Sequence, residues 1–140
     1  MPDRLYIDKE DRLFYQKAEE ENIINFRDKS QKEQFLLAMA IGFENEQKRE
    51  LKTKDGFFFS SYMGADDKTL IYAVALHEHG SVDILADEKE VFNIAEQYAS
   101  AGIRIFCEAN QKTQFGKFDK HFEKELFETY MKLFEGVETE

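Results

Sequence analysis

The chain has 140 residues, the size of one ordinary domain, and 42% of them are apolar, which is enough for a core and argues against global disorder. Its net charge is −10, with 15 acids and 12 bases (−3) in residues 1–70 and 14 acids and 7 bases (−7) in residues 71–140. A surface of that sign repels phosphate, so nucleic-acid binding by the domain as a whole is disfavoured, and the plain reading is a solubilising surface. Aromatic usage is skewed to 14 Phe and 6 Tyr with no Trp. That many Phe exceeds what a small core usually hides, so some are expected at a surface that another protein covers. The single cysteine, Cys107, rules out an intrachain disulfide and suits a reducing compartment. Met1-Pro2-Asp3-Arg4 does not read as a signal peptide, and no apolar run reaches the roughly 18 residues of a membrane span. A cytoplasmic location without membrane contact is expected.

Residues 1–11 read as an extended arm around Leu5, Tyr6 and Ile7. A short helix follows from Arg12 to Glu21, with Leu13 and Phe14 as its apolar grip. Ser30 and Glu33 have the spacing of a capping box and open a helix to Ile41 that is apolar nearly all round; Gly42 is placed to end it. The aromatic run Phe57 to Tyr62 predicts a strand, with Arg49–Thr53 as its hairpin partner. Asp66 or Asp67 caps a helix from Lys68 to His79, closed by Gly80. Its centre, Leu70 to Leu76, is apolar throughout and is expected to be central. Val82–Leu85 reads as a short strand or turn. Asp87 then caps a helix to Ser100, striped by Val91, Ile94, Ala95 and Tyr98 and stopped by Gly102. Ile103–Cys107 fits either a strand or a helix. The last helix spans 117–135, with an amphipathic stripe of Phe118, Phe122, Leu126, Tyr130 and Leu133 that Phe127 and Phe134 widen; residues 136–140 should fray. The fold expected is mainly α: a single compact domain of about five helices with at most a small β-hairpin or strand pair.

Few residues suggest chemistry. His77 and His79 could share a metal on a strand, but at a helix end residues two apart point about 200° from each other, and histidine there complements the helix dipole. Cys107 stands beside Glu108 in an acidic region and lacks what activates a thiol, so it reads as a small buried hydrophobe. No phosphate-binding glycine loop, nucleophile elbow or paired-histidine zinc motif occurs. No cofactor, metal or catalytic residue is expected. The one basic island is 48–54, where Lys48, Arg49, Lys52 and Lys54 face a single acid, Glu50. Beside Phe57, Phe58, Phe59 and Tyr62 it could contact single-stranded nucleic acid or an acidic partner protein; the plain reading is a solvated loop next to a core strand.

The succession of the helix end Ala38–Phe43, the basic segment with Arg49 and Leu51, Leu70–Leu76, Gly80–Leu85 and Ile94–Ile103 resembles small proteins associated with bacterial DNA-phosphorothioation (Dnd) defence systems. The resemblance covers residues 30–105. It implies a defence-linked accessory role and offers no catalytic residues to carry over. The chain from Phe115 onward lies beyond it, which leaves open a small component of an SMC-like ATPase defence complex. The function expected is a non-enzymatic accessory subunit of an anti-phage or DNA-modification assembly. Its partners would be larger subunits such as an ATPase or nuclease, or a second copy of the chain. The broad aromatic face of Phe118, Phe122, Leu126, Phe127, Tyr130 and Phe134 is the candidate protein interface. A nucleic-acid-binding module built on residues 48–54 is the alternative.

Overall fold

The computed structural model describes residues 3–112. Among them the fold is mainly α, with four α-helices, short 3-10 turns and one two-stranded antiparallel sheet. The expected helix at 117–135 and its aromatic stripe lie outside the described residues. The elements run β1 (Arg4–Asp8), α1 (Arg12–Glu21), α2 (Gln31–Glu44), β2 (Lys54–Phe59), α3 (Ala65–His79) and α4 (Glu88–Lys112).

The centre of the fold is the crossing of α2 and α4. The Ser30 capping box forms as its spacing predicts: the Glu33 N–H donates to Ser30 Oγ at 3.2 Å and the Ser30 N–H donates to Glu33 Oε1 at 3.0 Å. From Gln34 to Gly42 every residue of α2 is buried. Two glycines do not act as the helix stops expected of them. α2 continues through Gly42 to Glu44 and is closed by Asn45, whose side chain donates to the Ile41 carbonyl at 2.8 Å. α4 continues through Gly102 to Lys112, so residues 103–107 are helical. The reason is close approach of two backbones. A Cβ on Gly42 would lie 2.0 Å from the Tyr98 carbonyl oxygen, and one on Gly102 would lie 1.7 Å from that of Ala38. Only hydrogen fits at either point, and that requirement outweighs the helix penalty of glycine.

The N-terminal arm is a strand. β1 pairs with β2 (Arg4↔Phe59, Leu5↔Phe58, Tyr6↔Gly56, Ile7↔Asp55, Asp8↔Lys54), so the expected partner of the aromatic strand, Arg49–Thr53, is replaced by residues from the other end of the domain. A bulge between Leu5 and Tyr6 leaves Phe57 as an extra residue on β2. It lets adjacent Phe57 and Phe58 both turn inward, against the period of two. Phe57 meets Tyr15 at 4.6 Å and Phe58 meets Phe35 edge-on at 5.4 Å. Both outer edges of the sheet are occupied by side chains. The Tyr6 N–H donates to Glu96 at 2.9 Å, and Arg12 donates to the Gly56 carbonyl at 3.0 Å.

Phe26, Phe35, Phe57, Phe58, Phe92 and Phe106 are buried, and of the described Phe only Phe59 is exposed. Three further expectations are corrected. α1 grips through Tyr15 and Ala18, with Phe14 half-buried against the core as expected, while Leu13 is exposed. α3 starts at Ala65, with Asp67 accepting from the Gly64 N–H at 2.9 Å rather than acting as the N-cap. It buries one side only: Leu70, Ile71, Val74 and Ala75 are inside, whereas Tyr72, Ala73 and Leu76 are half-buried. Residues 82–86 form a 3-10 turn.

Candidate functional site

The four basic residues of 48–54 go to separate places. Lys48 pairs with Glu78, to which the Tyr98 hydroxyl also donates at 2.5 Å. Arg49 turns inward to Asp8 Oδ2 at 2.9 Å and to Ser100 Oγ at 3.2 Å. Lys54 donates to Glu96 Oε1 at 3.2 Å. Lys52 leaves its side chain exposed, while its backbone N–H donates to Asp8 at 3.0 Å. The segment is a strap over α4, fixed by the Arg49 N–H on the Gln97 carbonyl at 3.0 Å. Three of its four charges are matched inside the domain.

Arg49 enters a buried polar seam between α4 and the turn after β1. Ser100 Oγ donates to Asp11 Oδ2 at 2.5 Å, and Arg104 Nε donates to Asp11 Oδ1 at 2.8 Å. Glu10 reaches Arg49 and Arg104 at 3.5 and 3.6 Å. Asp8 and Asp11 are about as buried as the apolar core. Burial alone would raise the Asp8 carboxyl, but the Lys52 N–H, Arg49 and the Glu10 N–H overcome it and hold the group at about 2. At Asp11 burial wins, and its pKa is raised against the pull of Ser100 and Arg104. Every carboxylate here already has its donors, although Arg104 Nη2 is buried without a hydrogen-bond acceptor, and a network of this kind holds elements in register.

Two clefts flank the seam. One, of about 410 Å³, is lined by Phe43, Glu46, Lys48, His77, Glu78 and Tyr98. Lys48 first, and then the Tyr98 hydroxyl, hold Glu78 below the usual carboxylate range, while burial and then Glu78 push Tyr98 up. His77 packs edge-on against Phe43 at 5.0 Å, and both histidines are exposed. Among the described residues no three His, Cys, Asp or Glu side chains converge as metal ligands would. The other cleft, of about 380 Å³, lies between β1 and the first turns of α4, with Arg4, Tyr6, Lys54, Lys89, Phe92 and Glu96 along its walls and Asp3 at its rim. Glu96 is buried and raised by that burial, despite the Tyr6 N–H and Lys54.

Cys107 is buried, as its surroundings in the sequence suggested. Its thiol donates to the Phe14 carbonyl at 3.2 Å, and burial pushes it up to about 11. Near the second cleft lies an exposed aromatic pair, Phe59 and Tyr62, 44% and 64% accessible, with ring centroids 6.0 Å apart and the Arg4 guanidinium 4.8 Å over Phe59. The aromatic interface candidates Phe118, Phe122, Leu126, Phe127, Tyr130 and Phe134 fall outside the described residues. Sequence reasoning missed Arg4, Lys89 and Glu96. Glu96 had a signal: it stands in the row Phe92, Glu96, Ala99, Ile103, where a helix buries its side chains. Arg4 and Lys89 had none, because only the strand pairing brings them together.

No family model matches the chain, and neither a curated protein nor a solved structure shows significant similarity to it.

Proposed function

We propose that the protein is a non-enzymatic accessory subunit that works through protein–protein contact in a bacterial defence assembly. The observation that supports this reading is the exposed pair Phe59 and Tyr62 with Arg4 stacked beside it. Aromatic and arginine side chains carry most of the binding energy at interface centres. The described core buries Phe so thoroughly that two large exposed rings in contact stand out. The buried acids of the polar seam already have internal partners, which suits scaffolding better than turnover. Larger subunits such as an ATPase or nuclease, including those of an SMC-like system, are the partner class, and a second copy is the simplest alternative.

The test is co-expression with the products of neighbouring genes, followed by measurement of complex mass and affinity. Phe59→Ser with Tyr62→Ser should weaken the complex at least about ten-fold, roughly 1.4 kcal/mol, without changing the melting temperature of the free protein. A complex that keeps its affinity in the double variant would remove this surface from the interface. The C-terminal stripe from Phe118 to Phe134 is the second surface this reading carries, and removal of residues 117–140 should leave a folded domain that no longer assembles.

A second reading, nucleic-acid contact, is favoured by one observation: Lys52 is exposed and Lys54 is half open to solvent beside the aromatic strand. It requires mobility shifts that weaken steeply between two salt concentrations. Binding that ignores salt, or no binding, removes it.

A further inference from the structure

The cleft between β1 and α4 has a composition that neither scaffolding nor strand packing requires. We infer that it binds a small organic anion: a carboxylate or phosphate held by Arg4 and Lys89, with an apolar body lying against Tyr6 over the buried Phe92. Its volume of about 380 Å³ falls in the range of small-molecule sites, which are mostly apolar with a few convergent polar groups.

The charges on its walls divide into used and unused. Glu96, only 3% exposed, holds the Tyr6 N–H at 2.9 Å on one oxygen and Lys54 at 3.2 Å on the other. Lys54 also lies 5.8 Å over the Tyr6 ring. That pair is internally neutral and forms a rigid back wall. Arg4 and Lys89 form no ion pair among the described residues. Arg4 is steadied by Phe59, whose ring it covers; a stacked guanidinium keeps its in-plane N–H donors for a planar or tetrahedral anion. Gly56 contributes by its size, because a Cβ there would sit 3.1 Å from an Arg4 guanidinium nitrogen. Asp3 at the rim is the one acid on the walls without a matching cation, so the cleft presents more positive than negative charge in a protein of net charge −10. In an acidic protein a local positive surface selects anions without recruiting polyanions.

The experiment is an NMR titration of the full chain with benzoate, phenyl phosphate, adenosine monophosphate, acetate and inorganic phosphate. Benzoate, phenyl phosphate or the nucleotide should shift the amides of Arg4, Tyr6, Lys54, Lys89 and Phe92. Acetate and inorganic phosphate should bind at least about ten-fold more weakly, since they lack the apolar body. The carboxylate and phosphate arms show which headgroup the site prefers, and equal affinity supports the shared chemistry. Arg4→Ala with Lys89→Ala, both exposed positions, should lower the affinity at least about ten-fold, while Lys52→Ala, outside the cleft, should not. The inference is overturned if no compound shifts these amides at about 10 mM. It is equally overturned if inorganic phosphate binds as well as phenyl phosphate, or if the double variant binds like the wild type.

Discussion

α4 is held on two sides by opposite kinds of contact. Against α2 it is apolar, with Gly42 and Gly102 letting backbone touch backbone. Against β1 and the turn after it, contact runs through Asp8, Arg49, Ser100, Asp11 and Arg104, with both carboxylates buried and both arginines partly exposed. The first contact is limited by shape and tolerates no added atom. The second is limited by charge and tolerates no lost partner.

Removing one charge should show the largest effect. Asp11→Leu leaves Arg104 without its main partner and Ser100 without its acceptor and is expected to destabilise by about 4 kcal/mol; adding Arg104→Met should recover part of that, since replacing both partners avoids an unpaired charge. Urea denaturation of the two variants measures it, and additive losses would mean the seam is not a coupled unit. Adding one carbon comes next. Gly102→Ala should destabilise by about 3 kcal/mol through overpacking, although alanine is intrinsically the better helix former by about 1 kcal/mol. A stabilised variant would show that the crossing is looser than the backbone distances indicate.

The two sides also differ in acid. Asp8 has a folded value of about 2 against an ordinary 3.8, so its contribution is present above the ordinary value and disappears as pH falls from about 4 to about 2. Asp11 and Glu96 are raised; they oppose folding when ionised, and that opposition fades as pH falls through their raised values. Stability followed by thermal melting should therefore hold or rise on mild acidification before collapsing near the Asp8 window. Asp8→Asn should flatten the final drop, and an unchanged profile would remove Asp8 as its source. The smallest effect lies away from both contacts: Ser30→Ala should destabilise by about 1 kcal/mol through loss of the cap, again read by urea denaturation.

The apolar side was the more legible in the sequence. The run Phe35–Ile41 identified a buried helix, and the Ser30–Glu33 spacing located its start, because both signals are local. Gly42 and Gly102 misled because glycine carries the same letter whether it ends a helix or admits a neighbouring backbone. The polar seam was illegible. Its members come from positions 8, 10, 11, 49, 100 and 104, and in so acidic a chain no single acid stands out. The basic segment at 48–54 was visible as a composition, but its division among Glu78, Asp8 and Glu96 depends on the strap over α4. Pairing of β1 with β2 was hidden for the same reason: a run of five residues does not declare a partner 50 positions away.

The side chains on the sheet edges limit how this protein can be joined. Glu96 holds the Tyr6 N–H on one margin and Arg12 holds the Gly56 carbonyl on the other, so an incoming strand finds each ladder interrupted at its middle rung. Addition of a strand at either edge of this sheet is therefore disfavoured, whether by a partner or by a second copy stacking edge to edge. Among the described residues, what this sheet offers a neighbour is therefore its side chains, whose selectivity follows from the shape and charge of a patch rather than from the generic stickiness of an unpaired backbone.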